Sequence, residues 1–324
     1  MNNNAITNRH DFLLLFDVQN GNPNGDPDAG NMPRFDPNTD RGIVTDVCLK
    51  RKIRNYVFTK QQGEDGKPLE GFKIFIQHAH YLNEVIKDFH SKANKELKEQ
   101  GVSGRKLDNE TDAQAVQWLC NSFFDIRTFG AVVSTGPMKG SSYGQVRGPV
   151  QLTFAQSFDR ITPIEISITR SAATDAGEED KMRRGADRTM GNKHIVPYAL
   201  YAAKGYISPA FAERTGFTDE DLSLLFEALL NMFEQDRSAA RGEMIVRGLY
   251  DFEHVGTQGE TNAEQNKREA RLGCAHAHKL FEGINVSLKD GKEFPESFND
   301  YDVACAWDTQ ELPRGVRLHK RHES

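Results

Sequence analysis

An apolar run, Phe12-Leu13-Leu14-Leu15-Phe16-Asp17-Val18, empties into a tract of asparagine, glycine and proline and then into a basic segment, Lys50-Arg51-Lys52-Ile53-Arg54. The run is short, rich in Leu and Phe, and ends abruptly at turn formers, which predicts a buried strand rather than a helix. Polar and cationic groups are thereby placed beside a sheet edge.

In the tract, Gly21, Gly25 and Gly30 permit positive φ and Pro23, Pro27 and Pro33 fix φ. Asparagine side chains bond nearby backbone, so an ordered polar loop from Asn20 to Arg34 with outward amides is expected, suited to a phosphate. Thr45 reads as the N-cap of a helix over Asp46 to Val57, in which Leu49, Ile53, Tyr56 and Val57 share one arc and pack on a sheet. Lys50, Arg51 and Arg54 fall on the adjoining arc, with Lys52 pointing elsewhere. That shoulder is either a solvated helix face or a track for a polyanion.

Three segments extend the pattern: Asp17-Val18-Gln19-Asn20-Gly21-Asn22-Pro23-Asn24-Gly25-Asp26-Pro27-Asp28 with Val44-Thr45-Asp46-Val47-Cys48-Leu49-Lys50-Arg51, then Phe124-Asp125-Ile126-Arg127-Thr128-Phe129-Gly130, then Arg147-Gly148-Pro149-Val150-Gln151 with Arg188-Thr189-Met190-Gly191-Asn192-Lys193-His194. In this order they closely resemble the Cas7 family backbone subunit of type I-C Cascade, a CRISPR surveillance complex, and the likeness covers most of the chain. The resemblance implies an α+β fold: an RRM-like (ferredoxin-like) palm with an antiparallel sheet, a helical insertion and an extended thumb hairpin. It implies binding to the CRISPR RNA, head-to-tail packing of copies of this chain, other Cascade subunits as partners, and pairing of the guide with a target DNA strand. No cofactor and no membrane enter that picture.

The chain has 324 residues, enough for one large elaborated domain (1–324). Its 41 Lys and Arg against 47 Asp and Glu leave a net charge of -6, so any RNA site has to be locally basic. The cysteines Cys48, Cys120, Cys274 and Cys305 are scattered, which predicts reduced thiols. With no signal-like or spanning apolar stretch, a soluble cytoplasmic protein is expected.

Helices over Asn83 to Gln100 and Thr111 to Phe124 predict an inserted helical unit within 60–123. Val150 to Phe158 and Ile164 to Thr169 read as two strands joined by a hairpin through Asp159 to Pro163. Pro197 to Ile207 and Gly248 to Phe252 read as strands, and Asp219 to Arg237 as a helix whose Leu and Phe stripe is core. The last basic residues, Arg314, Arg317, Lys320 and Arg321, look like a tail. The polar stretch 171–195 cannot build a core, and by family analogy it is the thumb, with Arg183, Arg184, Arg188, Met190 and Lys193 against RNA.

Within Gly136 to Arg147, glycine and serine let backbone N–H groups approach phosphate, which is not a Walker spacing but makes RNA ligands of Met138, Lys139, Ser141, Ser142, Gln145 and Arg147. A plain surface loop is the alternative. Thr45, Asn20, Asn22 and Arg34 complete the candidate RNA-binding set, and Met138 or Met190 is the candidate wedge between bases. The Asn20–Asn31 tract has Asn where a calcium loop begins on Asp, and Asn31 where its bidentate Glu is expected, and Cys274, His276 and His278, although alternating as on a strand face, lack a fourth zinc ligand. No metal is expected. Asp26, Asp28, Asp36 and Asp40 are the only candidates for a metal-dependent RNA endonuclease. A binding role, not an enzyme, is therefore expected, with an assembly protein indifferent to RNA as the remaining alternative.

Overall fold

The computed structural model describes residues 4–78, 81–169 and 190–324. Among them, eight strands form one antiparallel sheet: β1 (His10–Gly21), β2 (Arg41–Val44), β3 (Val150–Leu152), β4 (Ala155–Arg160), β5 (Ile164–Thr169), β6 (Met190–Ile207), β7 (Glu243–His254) and β8 (Val316–Glu323). Their order is β8-β7-β1-β6-β4-β2, and β3 and β5 also pair with β6. The fold is thus mixed α/β around a large antiparallel sheet.

β1 is central because its middle, Phe12 to Phe16, is wholly apolar and buried on both faces. Phe12, Leu14, Phe16 and Val18 point to one face, against Leu49, Ile53 and Val57 of α1 (Asp46–Lys60). Leu13 and Leu15 point to the other, against Tyr250, Phe252, Leu280 and Phe281. Burying each such side chain contributes roughly 1.5–3 kcal/mol. Phe12 lies directly opposite Gly205 of β6, where an added Cβ would stand 2.0 Å from its ring; glycine is required there by the close approach.

Helices α2 (Leu82–Glu99) and α3 (Gly104–Ser122) pack on each other around a separate cluster that includes Ile86, Ala93, Leu119 and Phe123. The short helix α4 (Phe124–Phe129) joins them to the body. Its Arg127 forms a two-pronged bond to Asp221 at 2.8 and 2.7 Å. Asp221 also closes a capping box with Thr218, at the start of the helix Asp219–Asn231, so one carboxylate both caps a helix and ties it to α4.

Several expectations are corrected. Val150 to Phe158 is two strands, β3 and β4, and β4 does not form a hairpin with β5: β3, β4 and β5 each pair with separate stretches of β6. Residues 314–321 are no loose tail, because Val316–Glu323 is an edge strand on β7. Cys274, His276 and His278 do not share a strand; His276 is the N-cap of a helix containing His278, and the two rings stack at 5.7 Å.

Candidate nucleic-acid interface

The loop after β1 is fastened to the start of α1. Asn24 Oδ1 accepts from the backbone N–H of Thr45 at 2.9 Å and from its hydroxyl at 2.8 Å, while Thr45 Oγ1 caps the helix by accepting from the Cys48 N–H. Asn22 Nδ2 donates to the Asn31 carbonyl at 2.8 Å. An open cleft of 670 Å³ results, walled by the loop, by α1 and by the turn containing Asp236 and Arg241.

Its lining carries four cations, Arg34, Arg51, Lys52 and Arg241. Arg34 pairs with Asp26 at 3.3 Å, and Asp236 is shared between Lys52 and Arg241. Four cations against two carboxylates leave the cleft basic in a chain whose net charge is -6. Arg51 is exposed, and its Nε donates to Asn55 Oδ1 at 3.1 Å. Asn22 Oδ1 and Arg34 Nε, both at the cleft, are buried without a partner among the described residues.

The structure divides the predicted basic shoulder. Lys50 and Arg54 lie on the far flank of α1, both over the ring of Phe129, at 5.5 and 5.3 Å. Arg54 is buried and donates to Asp125 at 2.8 Å, and Lys50 pairs with Asp46 at 2.9 Å. Arg54 therefore corrects the expectation of an open phosphate contact: the carboxylate that also accepts the N–H groups of Phe75 and Ile76 has withdrawn it into the protein. Lys52, expected to point elsewhere, borders the cleft. Asp236 and Arg241 escaped sequence reasoning because they arrive from some 190 residues away and no spacing announces them.

A second stretch, Gly130–Val132 paired with Gln145–Arg147, carries the glycine- and serine-rich segment. Lys139, Ser142, Gln145 and Arg147 are exposed and Ser141 is partly so, whereas Met138 is buried in the α2–α3 cluster and is corrected as a base wedge. Arg147 lies over Phe211 at 5.2 Å. Asn20 is exposed with φ +48°. Lys193 is partly exposed on β6, opposite Ile166. Met190 begins β6, and Arg183, Arg184 and Arg188 lie outside the described residues.

Two of the loop aspartates hold turns. Asp26 accepts from the Asp28 N–H, and Asp36 from the Asn38 N–H and the Thr39 hydroxyl, which holds the Asp36 carboxyl below its ordinary value. No cluster of three metal-ligating side chains occurs among the described residues, and no described helix is long and apolar enough to cross a membrane.

Among solved structures, a chain of a CRISPR RNA-guided surveillance complex in a pre-nicking state is similar at 16% identity, with 75% of each chain covered and a TM-score of 0.46. A chain of the Type III-B Cmr-beta complex bound to cognate target RNA is similar at 10% identity, with a TM-score of 0.39, covering 75% of this chain and 60% of that one. A CRISPR-associated protein Cas7 of Haloferax volcanii is 27% identical over 238 residues, which are 67% of this chain and 62% of that protein. The family model described as CRISPR-associated protein Cas7 matches residues 8–306. By that match the chain belongs to the CRISPR-associated Cas7 family.

Proposed function

We propose that this chain is the CRISPR RNA-binding backbone subunit of a type I-C Cascade, a binding protein rather than an enzyme. Its sheet serves as an RRM-like palm, and residues 60–123 serve as an inserted helical unit. Copies pack head to tail along the guide, with other Cascade subunits beside them and the stretch 171–195 as thumb. Most bases stay free to pair with a target DNA strand, so base pairing and not protein side chains supplies the sequence specificity.

The observation that carries this reading is the basic cleft at the start of α1. Arg51 stands there without a carboxylate partner among the described residues, beside the buried Arg34 Nε, which is likewise unpartnered among them. An RNA phosphate would supply the anionic partner that Arg51 lacks and the acceptor that Arg34 Nε lacks. Asn20, Thr45, Lys50 and the exposed residues of 139–147 extend the same strand path.

Binding of a spacer-length single-stranded RNA, followed across a salt titration, tests it. Arg51→Glu is expected to weaken binding at least tenfold and to lower the steepness of the log–log salt dependence by about 0.7 for each phosphate no longer neutralised, with the thermal melt unchanged. An Arg51→Glu chain that binds RNA as tightly as the parent would refute the cleft as the RNA path.

A further inference from the structure

The face of the sheet away from α1 carries a second groove, whose lining brings two arginines together with two carboxylates. Arg41 of β2 and Arg160 of β4 are directly opposite in the antiparallel register. Gly42 and Val44 turn inward, Gly42 against the Tyr201 ring, so Arg41 and its cross-strand partner Arg160 face the other side. Both side chains are exposed, and among the described residues no ion pair engages either. Like charges placed opposite each other across a ladder destabilise it, so the pair is a liability until an anion sits between the two.

The two arginines line a 740 Å³ groove with Phe158, Asn38, Thr39 and the segment Glu293 to Pro295. Phe294 is 74% exposed there, a large aromatic surface left to water. Asp159, also in the groove, accepts the hydroxyl of Tyr301 at 2.5 Å. Glu293 remains as a carboxylate at the rim.

We propose that this groove holds a single-stranded nucleic acid, with a phosphate between Arg41 and Arg160 and a base against Phe294. Planar guanidinium forks match phosphate oxygens, and an open aromatic face stacks any base. Glu293 repels phosphates and carboxylates alike, but it can accept from the amino group of a cytosine or adenine, a donor that the side chains of an acidic peptide do not offer. The groove lies across the sheet from the α1 cleft, so the assignment stands apart from the reading above and does not depend on which strand that cleft holds.

The test uses the full chain and a fluorescein-labelled oligodeoxycytidine, read by anisotropy across a salt series. All comparisons are made on an Arg51→Glu background, which lowers the contribution of the α1 cleft. Adding Arg41→Ala with Arg160→Ala is expected to weaken the remaining binding at least tenfold and to flatten its salt dependence by about 0.7, for the one phosphate that the two arginines share. Removing this like-charge pair is expected to leave the melting temperature unchanged or higher. Phe294→Ala is expected to weaken binding about fivefold or more, and Phe294→Trp to keep it. The proposal is overturned if Arg51→Glu alone abolishes binding, or if the triple variant binds as Arg51→Glu does. It is equally overturned if polyglutamate displaces the oligonucleotide while Phe294→Ala changes nothing.

Discussion

Arg51 and Arg54, three positions apart on one helix, show how far environment separates identical side chains. Arg54 is a buried half of an ion pair with Asp125, and removing one partner of such a pair leaves the other charge stranded. Arg54→Ala is expected to cost about 3–5 kcal/mol, read as a fall in the denaturant midpoint, whereas Arg51→Ala should leave stability within about 0.5 kcal/mol. Tyr201 offers the opposite case. Its ring stacks on Phe16 at 5.4 Å, but its hydroxyl is buried without a partner among the described residues, and that burial drives its pKa far up. Tyr201→Phe removes an unsatisfied polar group while keeping the ring, so the melting temperature is expected to hold or rise; a loss above about 1 kcal/mol would show that the hydroxyl has a partner in solution, such as a buried water.

At the scale of elements, β8 is held to β7 by more than its ladder. Arg321 bonds Asp251 at 2.7 and 3.0 Å, His10 reaches the other oxygen of that carboxylate at 2.9 Å, and His319 meets Glu253 at 2.9 Å. Burial raises the Asp251 carboxyl, but His10 and Arg321 outweigh it and hold the group below its ordinary 3.8; Glu253 is likewise held down against burial by His319 and Asn8. For a carboxyl lowered on folding, the stabilising contribution is complete above the unfolded value and is lost as pH falls through the folded one. The melting temperature is therefore expected to fall as pH drops below about 4, and Asp251→Asn, already destabilised at pH 7, is expected to show a shallower fall. A parallel pH profile for the two proteins would remove Asp251 from that account.

These elements were unequally legible. β1, the cap at Thr45, the helix Asp219–Asn231 and the inward arc of α1 follow from period and composition, because local pattern decides them. The partners of β4 and β5, the strand at Val316–Glu323 and the burial of Arg54 and Met138 do not, since each is decided by a neighbour distant in sequence. At the cleft, Asn22, Arg34, Thr45 and Arg51 could be named in advance, while Asp236 and Arg241 could not, for want of any local signal.

Across the whole molecule the net charge of -6 opposes an RNA that only a local surface attracts. At low salt the repulsion reaches tens of ångströms, whereas near ~0.15 M it is confined to about 8 Å. If the cleft holds RNA, the association rate is expected to rise as salt is raised from about 10 mM and to fall again only as the cleft's own attraction is screened. Stopped-flow binding reads this directly, and a rate that falls monotonically would mean that the basic surface governs the far field as well. The 18-residue β6 sets a different property. Its inner stretch is zipped to β1 from Val196 to Ile207, and its outer stretch, Met190 to Ile195, continues without a break as one side of a ribbon whose β5 residues are exposed on both faces. With no joint between ribbon and sheet, the outer end cannot swivel like a hinged arm. A pull on it along the strand loads every β1–β6 hydrogen bond at once, in shear, so the ribbon is a cantilever rooted against β1, a strand buried along nearly its whole length.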